Sequence, residues 1–320
     1  EKGDENNTAL AADLIQIHDT SDRVEEEVVE IPPYEEIPMP ERGKFVFPPI
    51  WDRMAKTGSK IDNELVFKWI NHRVLFRQRW GYKRGKQDSA KFLEYEKNVV
   101  EPTYQALKAE LIDNDIFDPI AIYAYYPCIS HDNKLYIFDK KYLFNTLEES
   151  KNVPPLSEAI KVLEFPRQKR KPFRCIADFF ANDRLDVIAF TLASAGLKIS
   201  DYERSLYDKG EFTKYYQVHG LGVELAEALA EVLHKQIRLD LDIVPKEGHT
   251  LNDVQMKQYV GCRYSPGYAA CPDLAMNRDI FDLLNPEEFG IELSETFQMH
   301  PEQTTCAIVV THKEANYYNI

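Results

Sequence analysis

A change of periodicity at Pro119 constrains this chain more than any other feature. Before it, apolar side chains recur at helical steps. After it, Ile120-Ala121-Ile122-Tyr123-Ala124-Tyr125-Tyr126 is a run of β formers. Upstream, Val66, Ile70 and Val74 fall on one line with Leu65, Trp69, Phe76 and Trp80 beside it, which predicts a buried helix over 63–80. A second helix is expected over about 89–98, and Pro102 can open a third to about 112, since proline suits a first helical turn. Downstream, the β run is followed after His131-Asp132-Asn133 by Leu135-Tyr136-Ile137-Phe138, a hairpin pattern. Further strands are expected at 160–165, 186–192, 291–297 and 306–311, separated by helices rather than set in regular strand–helix–strand units. The fold class read from this is α+β, a mainly antiparallel twisted β-sheet flanked by helices, with a helical N-terminal region.

A chain of 320 residues with 44% hydrophobic content can bury the core of one large domain, with or without an appended segment. Its net charge of -14 argues against nucleic acid as a partner, because neutralising phosphates needs a concentrated basic face. Five cysteines with no Cys-x-x-Cys pair favour a reduced, cytoplasmic setting over a disulfide framework or zinc ribbon. No apolar run is long enough for a membrane span, so no membrane association is expected. The acidic start Glu1-Lys2-Gly3-Asp4-Glu5 is neither a signal peptide nor an initiator, which suggests a piece of a longer polypeptide. Residues 1–43 are acidic and broken by Pro32-Pro33, Pro38 and Pro40, so they read as a linker, with a short helix at 8–18 and a folded domain over 44–320.

The longest helical signal spans 212–239, with Leu225, Leu229, Val232 and Leu233 on its apolar side beside the small Ala226 and Ala230. Glu227, Glu231, His234 and Arg238 share another stripe. Glu231-x-x-His234 matches half of a di-iron helical motif, but no second copy exists, so no metal is assigned and a solvated charged stripe is expected. Glu227 has two readings: a surface glutamate, or a carboxylate with room among alanines to meet a ligand amine or hydroxyl.

The segment from Gly261 to Asp273 concentrates chemistry in a short irregular stretch. Arg263 is either a permanently charged fork for a carboxylate or a surface ion-pair partner. Pro266-Gly267 is a turn that lets backbone approach a ligand, and Tyr268 is either a ligand-facing ring or a loop anchor. Cys271 has no base beside it and reads as a packing residue, so no catalytic nucleophile is assigned. Arg167-Gln168-Lys169-Arg170-Lys171, with Arg174 near, is either a solvated loop or a docking patch for an acidic partner.

The spacing Arg263-x-x-x-Gly267-Tyr268-x-x-Cys271-Pro272-Asp273 resembles that of the C-terminal reactivation domain of cobalamin-dependent methionine synthases. Trp69-Ile70-Asn71 leading into Leu75 to Trp80, Ile176-Ala177-Asp178-Phe179, Leu225 to His234, Leu293 to Met299 and Tyr317-Tyr318 are similar to that family in the same order, covering about 60–320. The resemblance implies binding of S-adenosylmethionine by Asn71, Glu227, Arg263 and Tyr317, with Ser265 and Gly267 as backbone contacts and Tyr268 facing the cobalamin. Asn71 departs from the aspartate of some members, keeping an acceptor but losing a charge. The implied partners are a cobalamin-binding domain of the same polypeptide and a flavodoxin-like electron donor. The implied role is reductive methylation of cob(II)alamin within a methyltransferase, with this chain alone an incomplete catalyst. The alternative is a stand-alone protein-interaction module with no small ligand; a hydrolase built on Glu227 and Glu231 lacks any further group to complete it.

Overall fold

The computed structural model describes residues 63–144, 146–241 and 256–320; the expected linker over 1–43 and the short helix at 8–18 lie outside them. The helical region opens with α1 (Asn63–Lys68) and α2 (His72–Val74), the latter widening into a π-helical turn over Leu75–Arg79. The single helix expected over 63–80 is therefore interrupted, and Asn71 is the reason. It is extended at ψ 91°, and its Oδ1 accepts the Val74 N–H at 3.1 Å, so it keeps the chain non-helical after α1 ends at Lys68 and caps the next helix. By contrast, the two helices expected over 89–112 form one unbroken rod. After α3 (Ser89–Tyr95) a π-helical turn over Glu96–Val100 leads straight into α4 (Glu101–Asp113). That wide turn displaces the carbonyls a proline ring would strike in a regular helix, so Pro102 sits inside the rod instead of opening it.

Six strands follow: β1 (Ile120–His131), β2 (Lys134–Ile137), β3 (Lys161–Glu164), β4 (Asp186–Ser194), then β5 (Cys262–Tyr264) and, last in the chain, β8 (Thr304–Val310). They form one sheet in the order β3-β2-β1-β4-β8-β5, and every neighbouring pair is antiparallel. Both faces of its centre are covered. Ala121, Tyr123 and Tyr125 of β1 join one core with Ala189, Ala193 and Val309; Ile122, Ala124 and Tyr126 join another with Ile188, Phe190, Leu192 and Ile308. Burial on two sides is why β1 reads as a nearly continuous apolar run instead of an alternating one.

Two helices pack on the first face: α5 (Leu197–Asp208) and α6 (Phe212–Asp240), whose 29 residues make it the longest element described. A Cβ on Gly220 would lie 3.1 Å from the Arg79 Cβ and 3.0 Å from the Trp80 ring, so glycine lets α6 pass close to the π-helical turn. Trp80 closes that contact by donating its indole N–H to the Gln217 carbonyl at 2.8 Å. At the far end, buried Asp240 accepts from Tyr125 at 2.8 Å and Tyr123 at 3.2 Å, tying α6 to β1.

On the second face lies α7 (Met276–Leu284), whose Leu283 carbonyl accepts the Tyr126 hydroxyl at 2.6 Å. The strand expected over 291–297 is reduced to β6 (Glu292–Leu293), paired with β7 (Met299–His300) in a separate two-stranded sheet. Phe297, at φ 61°, closes a turn onto Ser294, and Asn277 of α7 donates to the Phe297 carbonyl at 3.0 Å, which stops the strand there.

Candidate functional site

The register of the edge strand decides where the motif arginine points. Arg263 of β5 pairs with Val309 of β8, and directly opposed residues share a face. Val309 belongs to the α6-side core, so Arg263 is sent toward α6 while Cys262 and Tyr264 face the other core. The sheet face between Arg263 and α6 carries small side chains: Thr191 of β4 opposite Ala307 of β8, with Thr305 next along. They leave a cavity of about 100 Å³ lined also by Glu227, Ala230, Ser265, Tyr268, Cys306 and Tyr317.

Arg263 is almost covered, at 12% side-chain exposure, and donates to Glu231 Oε1 at 2.6 Å. Burial alone would lower the arginine pKa, but the charge and hydrogen bond of Glu231 dominate in the other direction, so it is a permanent cation. Conversely, burial would raise the Glu231 carboxyl, and the Arg263 charge and hydrogen bond outweigh that, holding it below its ordinary range. His234 lies 3.4 Å from Arg263 through Nδ1; burial, then the charges of Arg238 and Arg263, push its pKa well down, so the ring is neutral.

The expected solvated stripe is therefore corrected. His234 and Arg238 are fully buried, and Glu231 faces Arg263 instead of water. The guanidinium of Arg238 lies 4.1 Å from the Tyr259 ring centre. Little local signal marked this, because Glu227, Glu231, His234 and Lys235 fill one side of the helix whether that side meets water or an arginine.

The loop after β5 is pinned by its own backbone. Gly267, at φ 90°, donates to the Cys271 carbonyl at 2.8 Å, and Cys271 donates back to Tyr268 at 2.9 Å. This lifts Tyr268 to the surface, 64% exposed, at the cavity mouth. Partial burial and then the Glu227 charge raise its phenol pKa, with Arg79 opposing. Tyr317 approaches from the chain's last segment, which Tyr264 anchors by donating to the Asn316 carbonyl at 2.8 Å. The Lys257 ammonium sits 3.9 Å from the Tyr317 ring centre.

The structure thus gathers Glu227, Arg263, Ser265, Tyr268 and Tyr317 around one cavity. Gly267 shapes the loop without lining it, and Asn71 lies outside the lining with its acceptor oxygen committed to the helix cap. Glu231 and His234 were weighed from sequence only as half of a metal motif, and Glu231 also as a hydrolase carboxylate, and both were set aside; Lys257 and Thr191 were not singled out. The basic run is split: Arg167 forms a two-pronged pair with Asp178 at 2.7 Å and Arg174 donates to Asn316, whereas Lys169, Arg170 and Lys171 are exposed.

Comparison with known proteins agrees with this architecture. Residues 64–320 match the family model described as vitamin B12 dependent methionine synthase, activation domain. The chain is 33% identical over 290 residues to the methionine synthases of Mycobacterium tuberculosis and Mycobacterium leprae, covering 85% of this chain and 23% of each relative. It therefore spans under a quarter of the length of those relatives. A crystal structure of the MetH reactivation domain bound to AdoHcy superposes with a TM-score of 0.67 at 22% identity, covering 80% of this chain and 78% of that one, which shows a shared fold. On the extent of the family match, with the fold in accord, the chain belongs to the activation domains of vitamin B12-dependent methionine synthases.

Proposed function

We propose that the cavity between α6 and the β5 loop binds S-adenosylmethionine and presents its methyl group to a cobalamin carried by another domain. The observation that carries this is a buried cation and an unpaired carboxylate facing one small cavity. Arg263 is fixed at one side, while Glu227 has no hydrogen bond or salt bridge among the described residues. An α-amino acid moiety needs that combination, with Arg263 taking the carboxylate and Glu227 the ammonium. The cavity is small beside the roughly 300–1,000 Å³ that encloses a whole ligand, so the nucleoside extends beyond its rim. Tyr317 and the Ser265 and Gly267 backbone are proposed as contacts near the mouth and Asn71 as a contact outside the lining. That the MetH reactivation domain was crystallised with AdoHcy supports this reading.

The cobalamin, when present, supplies the methyl-accepting metal. Restoring methylcobalamin from cob(II)alamin consumes one electron, from a flavodoxin-like donor, and the methyl of S-adenosylmethionine, leaving S-adenosylhomocysteine. This chain's residues need only bind, orient and expose the sulfonium, with Tyr268 at the surface toward the corrinoid. The chain is then a cytoplasmic module of a 5-methyltetrahydrofolate–homocysteine methyltransferase, incomplete as a catalyst alone, and the full-length mycobacterial relatives support that setting. Titration with S-adenosylmethionine tests it: saturable binding is expected, weakened by about 2 kcal/mol or more in Arg263→Ala, the scale of a lost buried charge contact. Absence of binding by the unmodified chain refutes the reading.

A further inference from the structure

We infer that Glu231 and His234 are positioning residues that hold the Arg263 guanidinium in the orientation that receives the ligand carboxylate. The inference rests on the reading of the cavity as an S-adenosylmethionine site. Arg263 stands on a three-residue edge strand, and its long side chain has many rotamers of similar energy. A fork that must meet a carboxylate with both prongs needs its plane set in advance. Two residues three apart on α6, one helical turn, set that plane. Glu231 Oε1 takes one Nη2 hydrogen at 2.6 Å, and His234 Nδ1 faces Nη1 at 3.4 Å.

Donor counting makes the arrangement specific. Arginine only donates, so His234 Nδ1 is the acceptor and the ring proton sits on Nε2. A neutral imidazole is required, since a charged one would repel the guanidinium, and burial beside Arg238 and Arg263 keeps it neutral. Of the five guanidinium N–H groups, α6 engages two, leaving Nε–H and one hydrogen on each terminal nitrogen for a ligand. Glu231 also balances the buried charge while the carboxylate is absent.

These contacts are poor choices for packing alone. Glu231 Oε2 and His234 Nε2 are both buried with no hydrogen-bond partner among the described residues, which carries a desolvation cost that apolar side chains on this helix face would avoid. Orienting Arg263 accounts for retaining them.

The test compares S-adenosylmethionine with decarboxylated S-adenosylmethionine, which differs only by the carboxylate, against the whole chain by calorimetric titration. Glu231→Gln keeps the shape and an acceptor oxygen, His234→Leu removes the acceptor, and thermal unfolding verifies folding of each. Both variants are expected to lose about tenfold or more in affinity for S-adenosylmethionine, with the decarboxylated ligand changed less than about twofold. Equal weakening of both ligands assigns the residues to general packing and overturns the inference. It is also overturned if both variants bind S-adenosylmethionine like the unmodified chain while Arg263→Ala does not, a result that leaves the site reading intact. Failure of the unmodified chain to bind either ligand removes the site reading itself.

Discussion

Glu227 and Glu231 stand one turn apart on α6, yet only Glu231 is matched to a cation, at 2.6 Å from Arg263. Glu227 lines the cavity beneath the β5 loop and Glu231 holds the arginine beside it, so the helix offers one unpaired carboxylate to the ligand and another to the cation. Assigned to the ammonium, Glu227 contributes equally to S-adenosylmethionine and S-adenosylhomocysteine, because both carry that group. Glu227→Gln is therefore expected to weaken both by a similar factor, roughly 1.5–3 kcal/mol for a charged hydrogen bond. Parallel titrations check this; a loss confined to S-adenosylmethionine would instead place the carboxylate at the sulfonium.

Asn71 caps α2, and substitution can separate that duty from the proposed ligand contact. Its oxygen caps α2 by accepting the Val74 N–H. Asn71→Ala should cost about 1 kcal/mol of stability as a lost cap. Asn71→Asp keeps the cap, gains a favourable charge at a helix start, and adds acceptor capacity. If Asn71 meets the ligand, the aspartate variant tightens S-adenosylmethionine binding severalfold with stability undiminished. Urea unfolding alongside titration measures both, and unchanged affinity would remove Asn71 from the site.

The sheet and the long helix were legible because burial on two faces leaves a local trace: β formers without alternation in β1, and leucines and alanines around α6. The partner of the charged stripe was not. Glu231 and His234 show the same spacing whether they face water or an arginine, and Arg263 arrives from a strand whose register with β8 no local pattern encodes. The cavity was equally silent, since Thr191 and Ala307 mean nothing as small residues until the helix opposite them is known. Asn71 was read for its charge and not as a cap, which hid the break in the first helix.

A second buried cluster predicts a pH dependence of folding. His219 Nδ1 lies 3.2 Å from Glu203 Oε2, and Gln303 donates to both Glu203 oxygens at 2.8 and 2.7 Å, fastening the start of β8 to α5 and α6. The hydrogen bond to Glu203 outweighs burial and raises the histidine pKa above its ordinary 6.5, with Glu302 assisting and Arg79 opposing. A raised pKa means the folded state binds the proton more tightly, so this contribution is full below 6.5 and fades as pH climbs through the folded value. Chemical unfolding on either side of pH 6.5 should show wild type losing its advantage over His219→Gln as pH rises. A constant difference between the two would count against the pairing.

The basic run makes its prediction at Lys169, Arg170 and Lys171, because Arg167 is consumed by Asp178 and Arg174 by Asn316. Those three exposed cations flank the half-exposed Phe173 at a turn closed by its N–H to the Arg170 carbonyl at 2.8 Å. Exposed charges contribute little to stability but steer an oppositely charged protein over about a Debye length, roughly 8 Å at physiological salt. Reversing Lys169 and Arg170 to glutamate should leave unfolding and S-adenosylmethionine binding unchanged. In assembled methionine synthase it should slow reductive reactivation by an acidic flavodoxin-like donor severalfold at low salt, with the gap closing as salt is added. Reactivation rates indifferent to both reversal and salt would place donor docking elsewhere. Arg167→Glu provides the internal contrast: it breaks a two-pronged pair that holds the base of the loop, so its effect should appear in unfolding and persist at high salt.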